Sequence, residues 1–119
     1  MKNQLTRFTN HILILIVFVF LAGCSTPEER VKANEKETKV HTVVIQQMKF
    51  TPAEIAVNEG DTVIWINRDI VDHNVTEEKN KEWSSSTLAP GKSWNMIVIK
   101  DAYYLCTIHP VMKGKLTVK

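Results

Sequence analysis

Cysteine is scarce: the 119 residues hold two, Cys24 and Cys106, in surroundings so different that they do not read as a disulfide pair. Helical periodicity is missing as well. After Lys39 no segment of ten or more residues repeats its apolar positions near every 3.6, which argues against a helical bundle. The longest apolar run, Ile12 to Leu21, is ten residues, about half of what a membrane-crossing helix needs. No excess of one charge exists beyond the extreme N-terminus. The formal charge of +2 is supplied by Lys2 and Arg7, and with these set aside 13 basic residues face 13 acidic ones. A balanced chain with no polybasic stretch gives no ground for nucleic acid as a partner or for an electrostatic membrane patch. Internal repeats and low-complexity tracts are also absent. The apolar and aromatic content is that of one ordinary globular domain.

What is present begins with a targeting signal. Lys2 and Arg7 form a positive n-region, and Ile12 to Leu21 has the length of a signal-peptide core. The run ends in Leu21-Ala22-Gly23-Cys24, which resembles a bacterial lipobox: small residues before the cut and Cys24 as the lipid acceptor. Residues 1–23 are therefore expected to be a lipoprotein signal peptide. Residues 24–39 are expected to be a lipidated Cys24 with a polar tether, because Ser25 to Lys39 has four acidic and four basic residues and too little apolar surface to offset the ordering of its backbone. As a coil it reaches roughly 20 Å.

From residue 40 to 119 the pattern is short, β-branched and closely spaced. Strands are expected at His41–Gln46, Glu54–Asn58, Thr62–Ile66, His73–Glu77, Ser93–Lys100, Asp101–Cys106 and Lys115–Val118, with a turn at Glu59-Gly60-Asp61. The fold expected is all-β, a Greek-key β-sandwich. Val44, Ile55, Val57, Val63, Trp65, Trp94, Met96, Val98, Leu116 and Val118 are its core. Glu77 to Ser86 is expected to be a loop with Trp83 partly tucked beneath it. His41 is taken as an exposed surface residue, and Tyr103 or Tyr104 as placing its hydroxyl on nearby backbone.

Cys106, His109 and Met112 stand at three-residue steps between a strand-like run and Gly114. Thiolate, imidazole and thioether are ligands for a soft or borderline metal, copper before magnesium or calcium. His73, at the end of another strand-like run, is the candidate fourth ligand. One Cys and two His with a weak axial Met is the arrangement of blue-copper electron-transfer sites. An unpaired cysteine in an exported protein needs a role. A nucleophile with His109 as its base would leave Met112 and His73 unused, whereas metal ligation uses all four.

The string Phe50-Thr51-Pro52, Ile55, Val57, Gly60-Asp61-Thr62-Val63, Trp65, Asn67, His73-Asn74 and Tyr104-x-Cys106-x-x-His109-x-x-Met112-x-Gly114 resembles the cupredoxins of the plastocyanin and amicyanin group. The two residues between His109 and Met112 are the amicyanin spacing. The resemblance implies one copper ion on His73, Cys106, His109 and Met112, with Asn74 bracing the ligand loop. Two positions depart from it: Ile108 stands where amicyanins usually have Pro, and Asp72 where Pro often precedes the first His.

The function expected is an extracytoplasmic one-electron carrier, lipid-anchored to a bacterial membrane on its periplasmic or cell-surface side. It would work as a monomer with redox partner proteins that dock on Ile108, Pro110 and Val111, with Val71, Lys113 and Lys115 nearby. The alternative is a membrane-tethered copper chaperone or buffer, against which the lack of Met-rich or His-rich tracts speaks. Copper enzymes of this fold need further histidines, and beyond the signal only His41, His73 and His109 exist, so catalysis is not expected.

Overall fold

The computed structural model describes residues 36–119; the expected signal peptide, Cys24 and the tether up to Glu35 lie outside the described residues. Eight strands form two four-stranded sheets. They are β1 (Val40–Gln46), β2 (Lys49–Thr51), β3 (Glu54–Val57), β4 (Thr62–Asn67), β5 (Thr76–Glu77), β6 (Ser93–Ile97), β7 (Ala102–Leu105) and β8 (Lys113–Val118). One sheet has the order β2-β1-β4-β6 and the other β3-β8-β7-β5. The β1·β4 and β3·β8 pairs are parallel and the rest antiparallel. Among the described residues there is no helix.

Alternation along the strands sets the faces. In β4, Val63, Trp65 and Asn67 are buried while Thr62, Ile64 and Ile66 are not. Inward residues from both sheets make one core: Val43, Ile45, Phe50, Val57, Val63, Trp65, Val75, Leu88, Val98, Tyr104, Cys106, Met112 and Leu116. Ile55, Trp83, Trp94, Met96 and Val118 pack against it, partly buried. Val44 is a correction. It faces outward, because the buried residues of β1 are Val43 and Ile45; in the β-branched run Val43-Val44-Ile45 composition alone cannot fix the phase.

Strand β2 was not expected from the sequence. It pairs with β1 across the two-residue loop Gln47-Met48, in which both residues have positive φ, 53° and 58°. That is the type I′ geometry that twists correctly for a hairpin, normally announced by Asn-Gly or Asp-Gly, and here the usual residues are missing. The His73–Glu77 segment is regular only at Thr76–Glu77; His73 instead forms an isolated bridge with Leu88, each N–H donating to the other's carbonyl.

The strands run between two ends of the sandwich. One end collects the last residues of β1, β4 and β7 and the first of β8, and carries His73, Cys106, His109 and Met112. The other collects Val40, Thr62, Ile97, Ala102 and Val118, and here the chain enters: the Lys39 amide donates to Asp61 Oδ1 at 2.9 Å and the Thr62 amide to the Lys39 carbonyl at 2.8 Å. His41 is not a free surface residue. Its Nε2 lies 2.8 Å from Oδ2 of the buried Asp61, which also accepts the Asn58 amide. The Lys39 amide, His41 and the Asn58 amide together hold the Asp61 carboxyl down to about 2.

The loop after Glu77 is built on that side chain. Burial opposes its ionisation, but the Asn80, Lys79 and Glu82 amides all donate to the carboxylate and keep it ionised below its ordinary range. Trp83 is half-buried against Trp65 and Trp94, at centroid distances of 6.3 and 5.9 Å, as the sequence suggested. The tyrosines differ from expectation. Tyr103 is exposed with Lys115 Nζ over its ring, and the Tyr104 hydroxyl is buried, its pKa pushed up to about 12 by burial, with Trp65 Nε1 facing it but outside good hydrogen-bond geometry.

Candidate metal centre

Cys106 follows the last residue of β7, and the chain then turns tightly back into β8. Two backbone bonds hold this turn: the Met112 amide donates to the His109 carbonyl at 2.9 Å and the Cys106 amide to the Met112 carbonyl at 3.1 Å. The equal spacing of Cys106, His109 and Met112 is thus the spacing of a closed loop whose side chains converge. His73 comes from the segment that leads into β5, which pairs with β7, so it lies beside Cys106 on the neighbouring strand of the same sheet. Asn67, fully buried at the end of β4, fixes its approach by donating to the carbonyls of Val71 and Leu88 at 2.8 and 2.7 Å and accepting the Asp69 amide.

These two segments bring three donor atoms together. His73 Nδ1 lies 3.8 Å from Cys106 Sγ, His109 Nδ1 lies 3.9 Å from it, and the two Nδ1 atoms are 3.2 Å apart. A first-row metal bonded to imidazole nitrogen at about 2.0–2.1 Å and to thiolate sulfur at about 2.3 Å would, near trigonal, set N and S about 3.8 Å apart and N and N about 3.5 Å apart. The triangle therefore fits one ion in its plane. Among the described residues this is the one grouping of three or more His, Cys, Asp or Glu side chains with that convergence. His73 and Cys106 are fully buried, Met112 nearly so, and His109 is half-buried, so one imidazole edge alone reaches solvent.

The surrounding contacts orient the donors. Asp69 Oδ2 is 3.1 Å from His73 Nε2 and also accepts the Met48 amide at 3.0 Å. The Met48 amide first, and then His73, keep the Asp69 carboxyl below its usual range against the opposing effect of burial. With Nε2 engaged, His73 presents Nδ1 to the centre, the arrangement by which a carboxylate fixes a ligand imidazole. Asp69 was not singled out from the sequence; an acid four residues ahead of a ligand histidine was the available signal. Asn74 ties the His73 segment to the residue after Cys106. Its Oδ1 accepts the Thr107 amide at 2.8 Å, its Nδ2 donates to Thr107 Oγ1 at 2.6 Å, and its own amide points at Cys106 Sγ at 3.4 Å.

Around the half-buried His109, Ile108, Pro110 and Val111 are exposed, Val111 to 85%. Ile70, at 90%, and Val71 extend the apolar exposure on the His73 side of the same end. Asp72 is exposed beside His73.

Comparison with known proteins agrees with this geometry. The family model of the cupredoxin-like domain matches residues 11–118. An amicyanin of Paracoccus versutus is 30% identical over 102 residues, covering 79% of this chain and 76% of that protein. Among solved structures, a purple cupredoxin from Nitrosopumilus maritimus superposes with a TM-score of 0.63 at 22% identity, over 66% of this chain and 99% of its own. A copper-containing nitrite reductase from Thermus scotoductus gives 0.62 at 24%, over 66% of this chain but 22% of its own length. The last two bear on fold alone.

Proposed function

The chain belongs to the cupredoxin family, whose blue copper proteins carry electrons, and from that premise we propose that His73, Cys106, His109 and Met112 would hold one copper ion. The observation that carries this reading is the convergence of two Nδ1 atoms and one Sγ within 3.2 to 3.9 Å. Bound copper supplies a one-electron couple, Cu(II)/Cu(I), and the ligand set of one thiolate, two imidazoles and a thioether suits both states.

The protein's own residues do the rest. Asp69 holds the His73 ring by its far nitrogen, and Asn74 ties the His73 segment to Thr107, directly after Cys106. Donors held in this way would need little rearrangement on a change of oxidation state, the condition for fast one-electron exchange. Burial of His73, Cys106 and Met112 keeps water from the ion, and the edge of His109 is the way in and out for the electron. Ile108, Pro110 and Val111, extended by Ile70 and Val71, form the docking patch for redox partner proteins. Small, weakly held contacts of this kind serve transient redox encounters. The protein acts as a monomeric carrier and not as an enzyme: His41, the remaining histidine of the domain, is bound to Asp61 at the far end. Residues 1–23 direct export and Cys24 carries the lipid, which places the domain on the outer side of a bacterial membrane.

The test is to load the protein with Cu(II) and record visible absorption and electron paramagnetic resonance. An intense blue thiolate-to-copper band with narrow copper hyperfine splitting, lost in Cys106→Ala, is expected. Tight Cu(I) binding with no such band would overturn the electron-carrier reading in favour of copper holding. Val111→Asp should slow electron exchange with a partner; exchange that ignores it and falls steeply with salt would remove the patch.

A further inference from the structure

Exposed large aliphatic side chains gather at both ends of the sandwich. Those around His109 belong to the metal end. At the other end, Val40, Ile97 and Ile99 are 65, 61 and 64% exposed. Val40 pairs with Thr62 and Thr62 with Ile97, so Val40, Thr62 and Ile97 form one row across three strands, about 10 Å wide at ordinary strand spacing. Ile99 lies two residues beyond Ile97, past the buried Val98. The row is also where the chain enters the domain. Lys39 is fixed to Asp61 and Thr62, and Lys36 Nζ donates to the Glu59 carbonyl at 2.6 Å. The part of the expected tether that lies outside the described residues is therefore 25–35, eleven residues.

We propose that the domain rests on the lipid bilayer through Val40, Ile97 and Ile99, on the outer face of the β2-β1-β4-β6 sheet at the end where the chain enters. The proposal depends on the lipid-tether reading above. A leash this short, attached beside the apolar row, raises the effective concentration of that row at the interface to about the millimolar range, and exposed aliphatic side chains gain from burial at the headgroup boundary. The nearby charges are mixed, Lys36, Lys39, Lys100 and Lys119 against Glu37, Glu59 and Asp101, so the contact is assigned to the apolar row and the salt dependence below separates it from attraction to anionic headgroups. The contact would leave the His109 edge, at the opposite end of the strands, open to partners.

The experiment uses the full chain in its Cu(I) state, methyl-labelled and reconstituted into lipid nanodiscs with a nitroxide lipid at the interface. The mass of the Cys24 peptide is measured first. If it carries no lipid, the tether reading and this proposal fall together. With lipid present, the nitroxide should broaden the methyl signals of Val40, Ile97 and Ile99 about threefold or more beyond those of Ile108 and Val111, and raising the salt to about 0.5 M should leave this unchanged. In V40T/I97T/I99T, which keeps β-branching, the difference between the two ends should vanish. Uniform broadening, or stronger broadening at Ile108 and Val111, overturns the proposal and leaves the tether intact. Broadening abolished by salt, or seen without the nitroxide and rising with protein concentration, overturns it in favour of headgroup attraction or contact with a second copy.

Discussion

Gly114→Ala should be among the most damaging single-methyl changes in the domain. A Cβ at this position would lie 2.2 Å from Tyr104 Cζ, 2.4 Å from its hydroxyl and 2.5 Å from Cε2, against about 3.5–4.0 Å for ordinary carbon contacts. The Tyr104 ring cannot withdraw. It is fully buried, with Phe50 at a centroid distance of 4.9 Å and Trp65 at 5.5 Å, both edge-on. Tyr104 and Gly114 are register partners in β7 and β8, so relief must come from separating the strands that enter and leave the ligand loop. The cost belongs at the upper end of overpacking, about 3 kcal/mol. With a urea dependence of about 1 kcal/mol/M for a domain of this size, the midpoint followed by tryptophan fluorescence should fall by about 3 M. A double-mutant cycle isolates the clash. Tyr104→Ala alone should cost about 3–5 kcal/mol, and adding Gly114→Ala to it should cost little more, giving a coupling of about 2–3 kcal/mol. A Gly114→Ala midpoint within about 0.5 M of the parent, or an equal cost in both backgrounds, would refute the reasoning.

Other outcomes follow from the same geometry. Asn74→Ala removes two bonds that join the His73 segment to Thr107; it should destabilise the domain by about 1–3 kcal/mol and speed copper loss to a chelator, and an unchanged loss rate would separate Asn74 from the site. Asp61, held down to about 2 in the folded chain from an ordinary 3.8, stabilises the fold above pH 3.8, and that stabilisation is lost as pH falls from 3.8 towards 2; Asp61→Asn should flatten this part of the urea-midpoint profile, and a profile parallel to the parent's would contradict the assignment.

The metal centre was legible where its information is local. Cys106, His109 and Met112 sit on one tight loop, so their spacing in sequence is nearly their arrangement in space. His73 could be reached because few histidines compete. Asp69 was hidden, since its contact with His73 depends on a turn that Asn67 enforces through carbonyls as far away as Leu88. The all-β character followed from short β-branched runs, but β2 did not, because Gln47-Met48 adopts a left-handed turn without the residues that signal one. Val43, Val44 and Ile45 are alike in chemistry, and only the packed sheet decides which of them turns inward. His41 looked ordinary because its partner, Asp61, belongs to a turn twenty residues later.

The division of the donors between two distant segments has a consequence for how the domain stays folded. Cys106 is the sole cysteine of residues 36–119, so no disulfide can fasten one sheet to the other. His73 and Cys106 are 33 positions apart, and an ion bonded to both closes that length of chain as a covalent bridge would. An ion that binds the folded chain and not the unfolded one would stabilise it by mass action, about 4 kcal/mol at a thousandfold excess over its Kd, a large share of the margin by which a small domain is folded. Bound at this site, the ion would also be a stabilising ligand of the fold, and a change that weakens metal binding would lower the domain's stability along with its redox chemistry.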